Sequence, residues 1–386
     1  MPSDPDVFSA EFREDPYPYY AELRRDRPVY REPRYGGYLL TRFDDVLEAL
    51  LDADTFSSAQ GPGPAPSTSL NPPAALPATD PPYHDQLRAL VNRGFTPRRV
   101  AQSEPRIREI TGRLVGAMEG GEIDLVPALS IPLPVFVIAE MLGVEPERQS
   151  DFRRWSDAFV GLLESEPTPE LTECAMGLVG YFKELAECRR KDPKDDLVTA
   201  LVNAEIDGQR LSDAELDGFF IVLLVAGNET TTNLISNQLR ILSQRPDLWK
   251  RLRDDRSLVP LAIEETVRFD TPVQNLGRQT TRDVVVRDVE IPKDSRVIVS
   301  YGAANRDPLA FDAAEEYRPE RSEKKHLGFG QGVHFCLGAG LARLEGEIAL
   351  NALLDRFETL EPGSGAPKRL QSTVIRGYES LPLRMG

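Results

Sequence analysis

Residues 329–338 read Phe329-Gly330-Gln331-Gly332-Val333-His334-Phe335-Cys336-Leu337-Gly338, and the reading of this stretch decides the fold. Three glycines in ten residues let a backbone lie close against something flat and wide. Cys336 stands where the loop meets a helix predicted over about residues 337–356. The first turn of a helix offers unpaired N–H groups and the positive end of the helix dipole, and both favour a thiolate over a thiol. The thiolate is the form that ligates metal. The other two cysteines, Cys174 and Cys188, are distant in sequence, and no Cys-x-x-Cys occurs. Zinc and iron–sulfur sites therefore lack ligands. One thiolate suffices if a porphyrin supplies the other four donors.

Working outward, Leu261-Ala262-Ile263-Glu264-Glu265-Thr266-Val267-Arg268-Phe269 places Glu265 and Arg268 on one helix face, close enough to pair. That helix has Pro260 in its first turn and stops before Thr271-Pro272. Short β-like runs follow, Val284-Val285-Val286 and Arg296-Val297-Ile298-Val299, separated by charged turns. Earlier in the chain, Ser212 and Glu215 form a capping box. The helix it starts should run to about Ser243, before Arg245-Pro246, roughly 47 Å at 1.5 Å per residue. Residues 219–226 are apolar all round, which predicts burial on every side. Gly227-Asn228-Glu229-Thr230-Thr231-Thr232 then sets poor helix formers and a carboxylate in the middle of this rod. A local rule broken at the centre of a core helix marks a candidate functional site.

The cysteine stretch resembles the haem-binding loop of cytochromes P-450, which reads Phe, Gly, any, Gly, any, His or Arg, any, Cys, any, Gly. The resemblance extends over nearly the whole chain. Glu265 and Arg268, with Glu265 71 residues before Cys336, match the family's Glu-x-x-Arg pair; its third partner, an arginine, is either Arg318 or Arg321. Ala226-Gly227-Asn228-Glu229-Thr230-Thr231 resembles the oxygen-binding motif, with Asn228 where many bacterial members have histidine. Gly340 replaces a frequent proline. His84 and Arg88, one turn apart on one helix face, resemble the family's His-x-x-x-Arg. Arg278 and His334 occupy two further family positions, and these four residues are implied to hold the haem propionates. The remaining histidine, His326, reads as structural. By this resemblance the cofactor is haem b, with Cys336 the ligand to iron. Cofactor contact falls to His84, Arg88, Ala226, Gly227, Arg278, Phe329, Gly330, His334, Cys336 and Gly338. The implied fold is mainly α with small β-sheets: a triangular prism with a long central helix, haem buried between that helix and the cysteine-loop helix. Residues 1–386 form one domain.

The implied reaction inserts one oxygen atom from O₂ into a small organic substrate, with Glu229 and Thr230 as the catalytic pair that manages protons. Electrons come from a ferredoxin with its reductase, since the chain has no flavin motif and no iron–sulfur cysteine set. Arg93, Arg98, Arg99 and Arg106 offer a positive patch for such an acidic partner. Two alternatives are a hydrogen-peroxide-dependent peroxygenase and a non-catalytic haem-thiolate binding or sensor protein. The acid–alcohol pair Glu229-Thr230 speaks against the first. The second would sit better with a vacant Thr230 position and an attached output domain, neither of which is seen. Expected pocket walls are the proline- and glycine-rich loop 60–82, Val222, Leu223 and Ala226, residues 273–276 and residues 373–375. They are mostly apolar, so the substrate should be hydrophobic or aromatic.

Composition sets the outer bounds. The chain has 386 residues, 40% hydrophobic and 28% charged, enough apolar material for a large core. Its formal net charge of -16 is the wrong sign for a nucleic-acid binder and disfavours anionic membranes. No run of roughly 20 apolar residues stands out as a membrane span. Residues 1–20 lack a basic region followed by an apolar one, so no signal peptide is expected and the default location is the cytoplasm. Three cysteines, an odd and sparse set, argue against a disulfide framework.

Overall fold

The capping box forms as its sequence predicts. Ser212 Oγ accepts from the Glu215 N–H and the Glu215 carboxylate accepts from the Ser212 N–H, opening a helix that runs Asp213–Ser243, 31 residues. In this computed structural model, residues 6–7, 9–33, 36–63, 76–92, 94–164, 168–206, 208–323 and 325–386 are described. The long helix passes through two apolar clusters. Its first half packs Phe219, Phe220 and Leu224 against Phe152 and Phe182, with the Phe182 and Phe220 rings stacked at 4.6 Å. Its second half packs Ile235, Leu239 and Leu242 against Trp249, Leu350 and Leu353. By length and apolar composition alone this helix could cross a membrane, which corrects the expectation that no segment approaches that requirement; most of its apolar stretch is buried inside the protein. Its apolarity is that of a core rod.

Around the rod the chain is mainly helical with small sheets. The largest sheet has five strands in the order Val29–Arg31, Tyr38–Leu40, Arg296–Ser300, Asn275–Thr280, Phe56–Ser57. One pairing in it is parallel, Arg296–Ser300 with Tyr38–Leu40; the others are antiparallel. Val284–Val286 and Val289–Ile291 form a separate hairpin. The loop expected over 60–82 is only partly within the described residues: 61–63 lie beside the sheet, 64–75 fall outside them, and Leu76–Ala78 makes a single helical turn.

Behind the cysteine loop lies the helix Val259–Phe269, with Pro260 in its first turn. Arg268 grips Glu265 through two bonds of 2.8 Å, and both side chains are buried. The choice left open by sequence falls to Arg321, whose Nε lies 3.0 Å from Glu265 Oε2. Arg318 contributes only its backbone N–H to Glu265, while its side chain pairs with exposed Asp312. Arg268 also donates to the carbonyls of Asn305, Ala314 and Glu316, so the network ties three stretches of chain together.

One buried carboxyl in the cysteine-loop helix, Ala339–Arg356, has no such partner. Glu345 is buried, its Oε2 makes no hydrogen bond, and burial pushes its pKa up to about 8. The folded value lies above the unfolded one, so the side chain's contribution is fully present below the unfolded pKa and is lost as pH rises through about 8. Glu345→Gln should therefore raise the urea midpoint at pH 9 and leave it nearly unchanged at pH 5. The upper limit at pH 9 is on the order of 4 kcal/mol. An equal difference at both pH values would show that Glu345 is already ionised in the native state.

Candidate active site

The cysteine loop closes on itself through backbone bonds: Cys336 N–H donates to Phe329 O at 2.8 Å, and Gly330 N–H to Leu327 O at 2.8 Å. Gly330 and Gly332 have φ of 70° and 71°, a region that L side chains avoid. Gly332 is fixed a second way, because a Cβ there would lie 2.5 Å from Leu50 O, at the end of the helix Phe43–Leu51. Gly338 differs: nothing lies within 4 Å of its missing side chain, and it caps the helix Ala339–Arg356. Sequence reading passed over Gly328, where a Cβ would strike Val267 at 2.5 Å, so this glycine seats the loop on the Glu265 helix.

Burial pushes the Cys336 thiol up, and this outweighs the opposing backbone N–H groups of Gly338 and Ala339 and the nearby Arg88 and Arg343. The helix start favours the thiolate as expected, but a buried anion needs more than dipoles. Among the described residues no cluster of three His, Cys, Asp or Glu could hold a metal. A metal at Cys336 must therefore bring its own remaining donors.

Four cationic or imidazole groups gather beside the loop. The rings of His84 and His334 stand 4.3 Å apart, edge to face. His84 Nδ1 meets Asp85 Oδ1 at 2.9 Å, while the Nε2 atoms of both histidines are buried without a hydrogen-bond partner. Arg278 is buried, with Nη1 on Gly277 O, and lies close enough to Tyr301 to share a hydrogen bond. Arg88 is half-buried and donates to Asn92 Oδ1. Burial first, then Arg278, His84 and Arg88, drives the His334 pKa down to about 3. Buried donors facing one another with a single carboxylate beside them fit a ligand that carries carboxylates of its own, as haem does.

A second cluster holds the loop from behind. Arg343 clamps Glu264 at 2.5 and 3.0 Å, His326 Nε2 reaches Glu264 at 3.2 Å, and the Arg343 guanidinium lies over the Phe329 ring at 4.4 Å. This gives His326 the structural place expected of it. Glu264 and Arg343 went unnoticed in the sequence, where they are 79 positions apart.

The central helix reaches the loop through Leu234, which shares an apolar cluster with Ile263, Val267 and Phe329. One turn before it, Thr230 Oγ donates to Ala226 O at 2.9 Å. Ala226 is exposed, Val222, Glu229 and Thr230 are half-buried, and together they mark the open face of the helix. Leu223 points elsewhere, into the phenylalanine cluster, so it is not a pocket wall. Gly227 lies on the same helix, beside Ile138. A Cβ there would meet Ile138, on the helix Pro132–Met141, at 3.5 Å, an ordinary packing distance. The two expected tail walls do meet. Val273 bridges Ile375, and Gln274 N–H donates to Val374 O at 2.7 Å.

Two of the four arginines of the expected patch are paired with carboxylates. Arg99 is held by Asp195 through both guanidinium nitrogens, and Arg106 sits between Glu109 at 2.6 Å and Glu140 at 3.3 Å. Arg98 is exposed, and Arg93 lies outside the described residues.

Comparison with known proteins points one way. A family model described as cytochrome P450 matches residues 150–380. Cytochrome P450 107B1 of Saccharopolyspora erythraea is 41% identical over 98% of this chain and 97% of its own length. The vitamin D(3) 25-hydroxylase of Pseudonocardia autotrophica is 39% identical over 99% of this chain and 96% of its own. The solved structure of a cytochrome P450 from Chondromyces apiculatus superposes with a TM-score of 0.91 at 40% identity, covering 100% and 99% of the two chains.

Proposed function

The chain belongs to the cytochrome P450 family, and from that membership we propose which of its residues do the work and on what. It is a haem-thiolate monooxygenase that uses O₂, an external redox partner and an organic substrate. The finer reading is a single domain over residues 1–386 holding haem b, acting in the cytoplasm on a small hydrophobic or aromatic molecule. A ferredoxin with its reductase supplies the electrons. The observation that carries the reading is Cys336: a lone, half-buried sulfur at a helix start, beside two buried histidine nitrogens that lack partners.

Haem supplies the oxygen-activating chemistry, in which two electrons and two protons leave one oxygen atom in product and the other in water. The chain's part is to bind, orient, keep dry and deliver protons. Cys336 Sγ holds the metal and donates electron density to it. His84 Nε2, His334 Nε2, Arg278 and Arg88 take the two carboxylates. Phe329, Gly330, Gly338, Ala226 and Gly227 bound the slot. The apolar first half of the central helix keeps water from the substrate side. Val222, Ala226 and the stitched segments 273–276 and 373–375 supply apolar wall, and a relative named for vitamin D(3) hydroxylation supports an apolar substrate of that kind.

Thr230 and Glu229 are assigned the protons. The Thr230 hydroxyl has one hydrogen, and at rest it goes to Ala226 O. To serve the reaction it must leave that carbonyl. If it does, Thr230→Ala still binds haem and substrate and still consumes reductant, while product per electron pair falls on the order of tenfold and hydrogen peroxide appears in its place. Product and peroxide assays on the native and Thr230→Ala proteins decide this. Unchanged coupling would leave Thr230 with only its helix bond. The broader assignment is tested by the reduced native protein under carbon monoxide, which should show the strongly red-shifted absorption of thiolate ligation.

A further inference from the structure

Next to Thr230 the helix carries an amide that the mechanism does not use. Asn228 is 2% exposed, in the middle of a core helix, where an unbonded amide would be costly. Its Nδ2 lies 3.3 Å from Ser156 Oγ, on the helix Gln149–Glu164. Its Oδ1 lies 3.3 Å from Thr232 Oγ, which in turn is 2.9 Å from Ser130 O, in the π-helical turn Val126–Ser130. Ser156 and Ser130 are fully buried and Thr232 nearly so. Thr232 has one hydroxyl hydrogen, and the nearer Ser130 O takes it. The relay closes completely when the Asn228 amide is turned by half a rotation. Ser156 O–H then donates to Asn228 Oδ1, Asn228 N–H to Thr232 Oγ, and Thr232 O–H to Ser130 O. Three elements are joined at one turn of the central helix.

Residues 228 and 230 are two steps apart, about 200° around a helix. With Asn228 locked toward packed neighbours, Thr230 faces the opposite, open side, as its exposure and that of Ala226 show. We propose that Asn228 is a positioning residue: by clamping this turn to two other elements it fixes the rotation of the central helix and so the direction of Glu229 and Thr230. The proposal rests on the proton-handling assignment above and adds what aims those side chains. The clamp also makes the helix Gln149–Glu164 part of the aim, because Ser156 is its outer anchor.

Three variants test it. Asn228→Leu keeps the size and removes both polar atoms. Asn228→His keeps one donor and one acceptor, which the relay can use. Ser156→Ala cuts the outer anchor and spares the helix itself. Hydrogen exchange at amides 226–232 reads the clamp directly, in haem-free and haem-loaded protein. Product and peroxide yields read its effect on the pair. The expected result is that Asn228→Leu retains the thiolate spectrum, exchanges at these amides roughly tenfold faster, and shifts the product-to-peroxide ratio severalfold toward peroxide. Ser156→Ala should move both in the same direction and Asn228→His should restore both. Asn228→Leu and Ser156→Ala with native product-to-peroxide ratios would overturn the proposal, whatever their thermal stability. So would an Asn228→His that behaves as Asn228→Leu does. Failure of the broader reading looks different: the native protein itself would lack the thiolate spectrum, while the exchange measurement would still report on the clamp.

Discussion

Cys336→Ala protein, reduced and exposed to carbon monoxide, is expected to show none of the red-shifted absorption that marks a thiolate ligand. The loss should be complete rather than graded, because no other group can stand in. Cys174 and Cys188 lie on the helix Pro169–Lys191, far from the loop in sequence, and no alternative cluster of three ligating side chains exists among the described residues. His334 is two residues from Cys336 but is turned against His84, ring to ring, and burial beside Arg278 and Arg88 keeps it neutral. Haem content should fall less than the spectrum does, since His84, Arg88 and Arg278, proposed to take the carboxylates, are untouched. Haem extraction together with the carbon monoxide spectrum separates these two effects. A Cys336→Ala protein that kept the red-shifted band would end the assignment of the ligand.

Glu265→Ala should cost about 3–5 kcal/mol of stability, the range for removing one partner of a buried ion pair. The structure explains why the cost lies there. Without the carboxylate, Arg268 and Arg321 are left as buried guanidiniums, and the Arg318 N–H loses its acceptor as well. The carbonyls of Asn305, Ala314 and Glu316 still solvate Arg268, but they carry no charge to offset it. For comparison, Arg251 and Glu320 make a 2.8 Å pair at the surface, and Glu320→Ala should cost no more than about 1 kcal/mol. Urea unfolding of both variants, with haem content measured alongside, checks the contrast. A Glu265→Ala midpoint as mild as that of Glu320→Ala would reduce the buried network to an ordinary surface pair.

What sequence could read was local. The central helix declared itself through Ser212, Glu215 and an apolar run, and it formed with the expected ends. The cysteine loop carried its own glycine spacing, and the positive φ of Gly330 and Gly332 accounts for two of those glycines. What sequence could not read was where distant charges meet. Arg99 looked free because its carboxylate, Asp195, is 96 positions away. Glu264 and Arg343 escaped notice for the same reason. Arg318 and Arg321 sit in one irregular stretch, and only the way that stretch turns decides which side chain enters the core. Leu223 was misread because its direction depends on which neighbours the helix packs against. Asn228 had no legible role until Ser156 and Ser130 were beside it.

The five-stranded sheet has a consequence for how the chain comes into being. Three of its strands lie before residue 58, and the two that join them begin at Asn275 and Arg296. From Ser57 to Asn275 a ribosome must add 218 residues, roughly ten to forty seconds of synthesis at 5–20 residues per second. For that interval Tyr38–Leu40, a strand buried on both faces in the finished protein, has only Val29–Arg31 beside it, and its other edge is open. Such an edge pairs readily with a neighbouring nascent chain. Slower translation across residues 58–275 should therefore lower the yield of folded protein, and chaperones that bind extended apolar strands should be needed early, well before the cysteine loop has been made.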